Sequence, residues 1–513
     1  MEPDCNGNCF IEIATVYCVI LRRQAVARSV NHPRPRTRFG EQTYGNDVVF
    51  TIDGQETFRL MYDKIHQAKA CVYIANYDLD PALRFVRNPD QPIAFAGHSH
   101  EAYPLQKLLV EKAEEGVEVK IIVWEPRLVL RLLPGADERG IDGRADEVET
   151  INEIAKSSGI SDKLMVKIDN TAPTITSAHH EKIVIVDNQV GFCGGLDLSR
   201  GKWDTRSHEY DNPLRDGGSE PWHDVHAMVS GPVVWDLIYH FYQRWAYSET
   251  KDVGRVSRLK IKSNFTTRGS CGSVHAVALR TWNELDKDGG IQAWYAAMFR
   301  KAKKSIYIEN QFPFQNSFAT KLLEKRLQEE PDLRVIVVSP MEPNLPGFIG
   351  SMIAKMSVND VKDNLAVLRR AGEGRVKTYS LISQGEPNDR RRQIYVHSKI
   401  MIVDDRWVTV GSANIDKNGF RDSSELNLGL TSPKLAKELR SRLWQEHLQD
   451  DNDAACARDF GEGFAAWEIL ASDNGRRAAK NEPIRGHVYY YNFEEMGLPP
   501  PYPDARGSKF ELL

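Results

Sequence analysis

The sequence predicts an α/β protein built as two equivalent halves that pack about a pseudo-twofold axis. Three observations carry this. The pattern His, one residue, Lys, four residues, Asp occurs twice, in HHEKIVIVD at His180 and VHSKIMIVD at His397, an offset of 217 residues. In both copies a glycine follows fourteen positions after the histidine, Gly194 and Gly411. Short runs rich in Val and Ile alternate with amphipathic stretches in the same order on both sides, the signature of strands alternating with helices.

Taken in chain order, each element has its counterpart. KACVYIANYDLD from Lys69 matches KKSIYIENQFPF from Lys303, and both read as buried strands. LQKLLVEKAEEG from Leu105 has helical periodicity and stops at Gly116, a C-cap; SFATKLLEKRLQEE from Ser317 takes the same place. VEVKIIVWEP from Val117 and LRVIVVSP from Leu333 are the next strands, about sixty residues before each motif histidine. After the motifs, GPVVWDLIYHFYQRW puts Val234, Leu237, Ile238, Phe241 and Trp245 on one helical face, and SPKLAKELRSRLWQEHL from Ser432 is its partner. The expected boundaries are an N-terminal extension 1–44, a first half 45–250, a linker 251–274, a second half 275–450 and a tail 451–513. LPPPYP near residue 500 is expected to run extended over the surface.

Bulk properties exclude several classes. With 513 residues, 41% hydrophobic and 27% charged, the composition is that of a soluble globular chain. A net charge of −4 gives no global attraction to a polyanion, so no nucleic-acid partner is expected. Seven scattered cysteines (5, 9, 18, 71, 193, 271 and 456) without a Cys-x-x-Cys pair read as reduced thiols. FIEIATVYCVIL, residues 10–21, is too short to span a bilayer and follows Glu2 and Asp4 rather than a basic segment. Neither a transmembrane segment nor a signal peptide is expected; a cytoplasmic or peripheral-membrane location follows, with export by a route independent of a signal peptide left open.

The chemistry lies in the repeated motif. Residues two apart on a strand share a face, so His180 and Lys182 point together, as do His397 and Lys399. Packing about a twofold axis would bring two imidazoles and two ammonium groups to one cleft. That set suits a phosphodiester. Lysines hold the nonbridging oxygens, one neutral imidazole attacks phosphorus, and the other passes a proton to the departing oxygen before activating water. Each imidazole needs an acceptor for its second nitrogen. Asp224 and Glu425, each eight residues before a proline (Pro232, Pro433), are assigned to orient His180 and His397 respectively.

Asp187 and Asp404 complete the motifs and belong to the candidate catalytic set, although their odd spacing from the lysines points to work on backbone or the next turn. Gly194, Gly195, Ser412 and Asn414 follow the strands, where small residues let backbone approach a phosphate; a plain tight turn accounts equally well for the glycines. No cofactor or metal is expected. His223, Asp224 and His226 in PWHDVH look like ligands, but on a strand only Asp224 and His226 share a face, so activity is expected to persist in chelator. Trp203, Trp222, Phe312 and Phe314 lie near the motifs, lining an acyl entrance or packing as core.

These residues resemble the phospholipase D superfamily, and HHEKIVIVD, GGLDLSRGKWDTRSH, PWHDVHAMVSGP, IYIENQF and YVHSKIMIVDDRWVTVGSANI resemble its phosphatidylcholine-hydrolysing branch. The resemblance spans about residues 45–450. It implies a bilobal α-β-α-β-α sandwich with one active site between halves, His180 as nucleophile, His397 as acid and base, and Lys182, Lys399 and Asn414 on phosphate. It also implies hydrolysis of glycerophospholipids at a membrane surface, with transphosphatidylation when an alcohol replaces water. Only about forty-five residues precede the first half, which points to a bacterial-type enzyme without the PX, PH or C2 domains of eukaryotic members, either housekeeping or an exported virulence factor. DKNGFRDSSELN departs slightly from the family run before Glu425. Three rivals stand beside this reading. The first is a cardiolipin synthase-like phosphatidyltransferase. The second is a nuclease of the same superfamily, for which the basic run DRRRQ at 389–393 is the hint. The third is a scaffold that has lost activity.

Overall fold

The computed structural model describes residues 40–87, 104–125, 144–172, 177–216, 219–259, 272–282, 284–285, 290–342, 348–387, 390–449 and 459–502. Residues 1–39 of the N-terminal extension, residues 260–271 of the linker, and Cys5, Cys9, Cys18, Cys271 and Cys456 lie outside that set.

Two sheets of identical strand order carry the repeat. The first runs β1 (Thr43–Ile52), β8 (Val225–Ser230), β6 (Val190–Gly194), β5 (Ile183–Val186), β2 (Cys71–Asn76), β3 (Glu118–Trp124), β4 (Leu164–Asp169). The second runs β9 (Val274–Thr281), β16 (Glu425–Thr431), β15 (Trp407–Gly411), β14 (Lys399–Val403), β10 (Ser305–Asn310), β11 (Arg334–Val338), β12 (Val376–Gln384). The edge strands β1 and β9 also pair with each other, at Thr43–Ala276 and Asn46–Val274, which joins the sheets across the pseudo-twofold axis. Alternating side chains then divide the core by face. Ile183, Ile185, Ile400 and Ile402 enter a central layer with α4 (Val234–Thr250) and α9 (Pro433–Leu448). Val184 and Val186 face outward onto α1 (Asp53–His66), α2 (Leu105–Glu114) and α3 (Arg144–Ser157). Met401 and Val403 face α6 (Gly290–Lys301), α7 (Ser317–Glu329) and α8 (Phe348–Gly372), while α5 (Val253–Ser257) belongs to the linker. The architecture is the expected α-β-α-β-α sandwich.

The motif aspartates build hairpins. Asp187 and Asn188, and equivalently Asp404 and Asp405, take left-handed backbone (φ 53°, 55°, 51° and 46°), which Asp and Asn tolerate best after Gly. The Asp187 carboxylate accepts the main-chain N–H groups of Lys69, Ala70 and Cys71 at 2.7–3.1 Å, and that of Asp404 accepts those of Lys303, Lys304 and Ser305 at 2.8–3.0 Å. Each therefore pins the start of β2 or β10 to its hairpin. Their place in the candidate catalytic set is corrected: both carboxylates are spent on backbone.

The tail is also corrected in part. Beyond residue 459, α10 (Phe460–Ala479) and β17 (Val488–Tyr490), which pairs antiparallel with β12, complete the second half, with Trp467 fully buried. Leu498–Tyr502 run without helix or strand, held where Tyr489 donates to the Pro499 carbonyl at 2.9 Å and Arg391 to the Pro501 carbonyl at 2.7 Å, but they do not stay on the surface: Pro501 is buried and Tyr502 packs into the core.

Candidate active site

Each motif histidine sits just before its strand, where main-chain pairing crosses to the other half. His180 N–H donates to the Ser424 carbonyl and His397 N–H to the His223 carbonyl, both at 2.8 Å. Short parallel pairings extend this, His179 with Ser424 and β13 (Arg391–Val396) with β7 (Trp222–His223). The residue after each carbonyl is the candidate carboxylate, so the pairing is crossed. Glu425 takes His180 Nδ1 at 3.0 Å, and Asp224 takes His397 Nδ1 at 2.7 Å. This corrects the assignment within each half: equivalent positions were identified, but the strands that carry them exchange across the axis. With Nδ1 held, Nε2 of each ring is left for chemistry. The rings keep 17% and 8% exposure over carboxylates at 3% and 0%, a cleft with a buried floor.

The lysines flank this floor. Lys182 donates to the His180 carbonyl at 2.8 Å and lies 3.3 Å from Asp197. Lys399 donates to the His397 carbonyl and to Gln311 at 3.2 Å. Asn414 donates to the same Gln311 oxygen at 3.3 Å, beside the lysine. Two phosphate-binding candidates behave differently. Gly195 gives its N–H to the Val225 carbonyl, and a Cβ there would fall 2.0 Å from Asp224 Oδ1, so this glycine makes room for a carboxylate. Ser412 is fully buried; its hydroxyl accepts the Leu426 N–H at 3.0 Å, on the residue after Glu425. Neither presents a donor to the cleft, because both are used to hold the strand that carries the orienting acid.

Four neighbours were missed. Asp197 stands seventeen residues after His180 as Asn414 does after His397, so the repeat offset marks it. Tyr77 and Gln311 both follow a paired Asn, Asn76 and Asn310; the Tyr77 ring meets His180 edge-on with centroids 5.0 Å apart and has Lys182 Nζ 4.8 Å from its centroid. Lys202 places Nζ 3.5 Å from the centroid of the Trp222 ring, whose centroid in turn lies 4.9 Å from that of His397. No repeat partner signals Lys202. Among the aromatics, Trp203, Trp222 and Phe314 are buried as core, and Phe312 is half-buried. PWHDVH splits three ways: Asp224 to His397, His226 under Gly194 and His223 to a separate buried cluster.

Burial drives both motif imidazoles, both orienting acids and Lys399 toward neutral forms. It holds His180 well below its ordinary range, helped by the charges of Lys182 and Lys399. His397 is lowered likewise, by burial and then Lys399, Lys182 and Lys202. Burial raises Glu425 to about 8 and Asp224 to about 6 and pushes Lys399 down to about 7, with Lys182 adding repulsion. Two neutral imidazoles and a lysine short of its full charge form a site that an anion would complete.

Known proteins share this plan. The phospholipase D family model matches residues 64–284, and the model described as the phospholipase D-like domain of cardiolipin synthase matches 295–446. Phospholipase D alpha 2 of Arabidopsis thaliana is 28% identical over 84% of this chain and 69% of its own length. Phospholipase D alpha 1 of Cynara cardunculus is 27% identical over 84% and 69%. A crystal structure of phosphatidylserine synthase from Haemophilus influenzae shares the fold, with TM-score 0.52 and 12% identity over 79% of this chain and 86% of that one. Two family models in tandem, one on each half of a duplicated His-x-Lys fold, give the conclusion that the chain belongs to the phospholipase D superfamily.

Proposed function

We propose that the protein is a phospholipase D that hydrolyses glycerophospholipids such as phosphatidylcholine to phosphatidate and the free headgroup alcohol. The observation that carries this is the pair of crossed imidazole–carboxylate couples with a lysine beside each. His180 Nε2 attacks phosphorus, its Nδ1 held by Glu425. The P–O bond to the headgroup breaks, and His397 gives the departing oxygen its proton. His397 then takes a proton from water, whose oxygen attacks phosphorus and releases phosphatidate and His180. The phosphodiester anion between Lys182 and Lys399 supplies the negative charge that lets His397 hold a proton despite burial. A primary alcohol in place of water gives a phosphatidyl alcohol.

The test is a headgroup-release panel on phosphatidylcholine vesicles with and without a primary alcohol. Choline release and a phosphatidyl alcohol that both vanish in His180→Ala support the proposal; equal rates in wild type and variant refute it. A second reading, phosphatidyl transfer to a lipid hydroxyl, draws on the family model over residues 295–446. Cardiolipin formed from phosphatidylglycerol without free phosphatidate would favour it. The nuclease reading loses its hint, since Arg391 and Arg392 are spent on the Pro501 and Tyr210 carbonyls and Arg390 on Asp211. Action at a membrane surface is part of the proposal; among the described residues no helix is long and apolar enough to cross a bilayer.

A further inference from the structure

A second group of titratable side chains lies behind His397, and the chemistry above does not use it. Asp53, His208 and His223 from the first half meet Glu446 of α9 from the second, all four side chains fully buried. His223 Nδ1 is 2.9 Å from Asp53 Oδ1 and 2.9 Å from Glu446 Oε1; His208 Nε2 is 3.3 Å from Asp53 Oδ2 and 3.3 Å from Glu446 Oε1. Donor atoms around a tetrahedral zinc at about 2.0–2.1 Å lie about 3.3 Å apart. The two His208 contacts match that spacing and one of them, to Glu446 Oε1, is also a hydrogen bond, while the two His223 contacts are shorter. Neither oxygen lies in line with the ring N–H of His223, so Nδ1 has no hydrogen-bond partner, nor has Asp53 Oδ2. Buried polar atoms aimed at a shared point without a partner are costly.

The outer contacts are those of ligand histidines. His223 Nε2 is 2.9 Å from Glu309 and His208 Nδ1 3.0 Å from Asp204, each ring backed by a carboxylate that fixes which nitrogen faces inward. Arg206 takes the other oxygen of Glu446 at 2.9 Å, so Oε1 is the one that faces His208 Nε2 and His223 Nδ1. The pseudo-twofold axis supplies an internal comparison. Behind His180 the buried acids Asp169 and Glu181 share the guanidinium of Arg244, 2.6 and 2.5 Å away. Behind His397, among the described residues, the imidazoles of His208 and His223 lie between Asp53 and Glu446 Oε1, with no guanidinium or ammonium in the place that Arg244 takes. A trio of His223, Glu309 and His447 offers only three donors and needs the nitrogen that already faces Glu309.

We propose that Asp53, His208, His223 and Glu446 form a closed structural site for a divalent cation of the zinc class. Two imidazoles and two carboxylates in a tetrahedral set suit that ion, and four protein ligands leave no position open for substrate. The ion ties the halves together and stiffens the segment behind the acid–base pair. Asp53 N–H donates to the Asp224 carbonyl at 2.8 Å, Asp224 N–H returns to Asp53 Oδ1 at 3.1 Å, and the His223 carbonyl holds His397.

The experiment is elemental analysis of the full-length protein, purified without a histidine tag from zinc-supplemented culture and passed through gel filtration in chelator. About one zinc per chain is expected. Unfolding in chelator and refolding with zinc or cobalt chloride should raise the thermal midpoint over refolding without metal, and cobalt should give the visible absorption of a tetrahedral centre. Glu446→Gln and His208→Asn should lose the metal. Should either variant fail to fold, the wild-type measurements decide alone. Metal well below one equivalent, with no thermal or spectral response to zinc or cobalt, would overturn the proposal.

Discussion

Crossed pairing predicts which step each carboxylate serves, and two conservative variants separate the steps. Asp224→Asn keeps shape but replaces the acceptor for His397, and Glu425→Gln does the same for His180. Each imidazole becomes charged as it reacts, and a buried hydrogen bond to a charged group contributes about 1.5–3 kcal/mol. At about 1.36 kcal/mol per decade, that is about a 10- to 150-fold loss of rate in either variant, and more where the amide imposes the wrong tautomer. The readout is pre-steady-state release of p-nitrophenol from a phosphatidyl p-nitrophenyl ester, whose leaving group needs no proton. Asp224→Asn should then form the phosphohistidine at near wild-type rate and stall, giving a burst of one p-nitrophenol per chain followed by slow turnover. Glu425→Gln should slow the burst itself. A burst lost in Asp224→Asn and kept in Glu425→Gln would show that each carboxylate serves the histidine of its own half, and the reasoning from crossed strands would fail.

Other outcomes follow from the same geometry. Lys399 has its folded pKa pushed down to about 7, so its charge is present below that value and lost above it. Affinity for a dialkyl phosphate, which does not titrate in this range, should fall as pH rises past about 7, with proton uptake on binding seen by calorimetry in buffers of different ionisation enthalpy; a flat profile contradicts this. Asp187→Asn and Asp404→Asn keep the left-handed turn but weaken three backbone contacts each, and should cost about 1–2 kcal/mol in denaturant unfolding after discounting for partial exposure, with kcat of the folded protein unchanged. Gly195→Ala should keep the fold, checked by circular dichroism, and lose at least as much activity as Asp224→Asn, because the new methyl occupies the place of Asp224 Oδ1. Full activity in that variant would show that the carboxylate can move.

Much of this was written along the chain, because a duplicated unit is a local and repeated signal. The offset of 217 residues located both histidines, both lysines and the structural aspartates, and it also marks Asp197 opposite Asn414. Periodicity gave the strands that these residues flank. Strand alternation also foretold that Asp187 and Asp404 turn away from the lysines, and the backbone contacts agree.

The set of reacting groups and the α/β halves that present them are legible in the chain, since side-chain identity and strand period are properties of short segments. Which group partners which depends on how the two halves pack. Ser424 and His223 carry their following carboxylates across the axis because the short pairings beside the motif histidines form between halves. Gly195 and Ser412 changed role through pairing inside their own halves: the carbonyl, amide and carboxylate they serve belong to the neighbouring strand of the same sheet or the residue just before it. The cluster of Asp53, His208, His223 and Glu446 draws on four segments with no common spacing, and only packing of the two halves brings such residues within reach of one another.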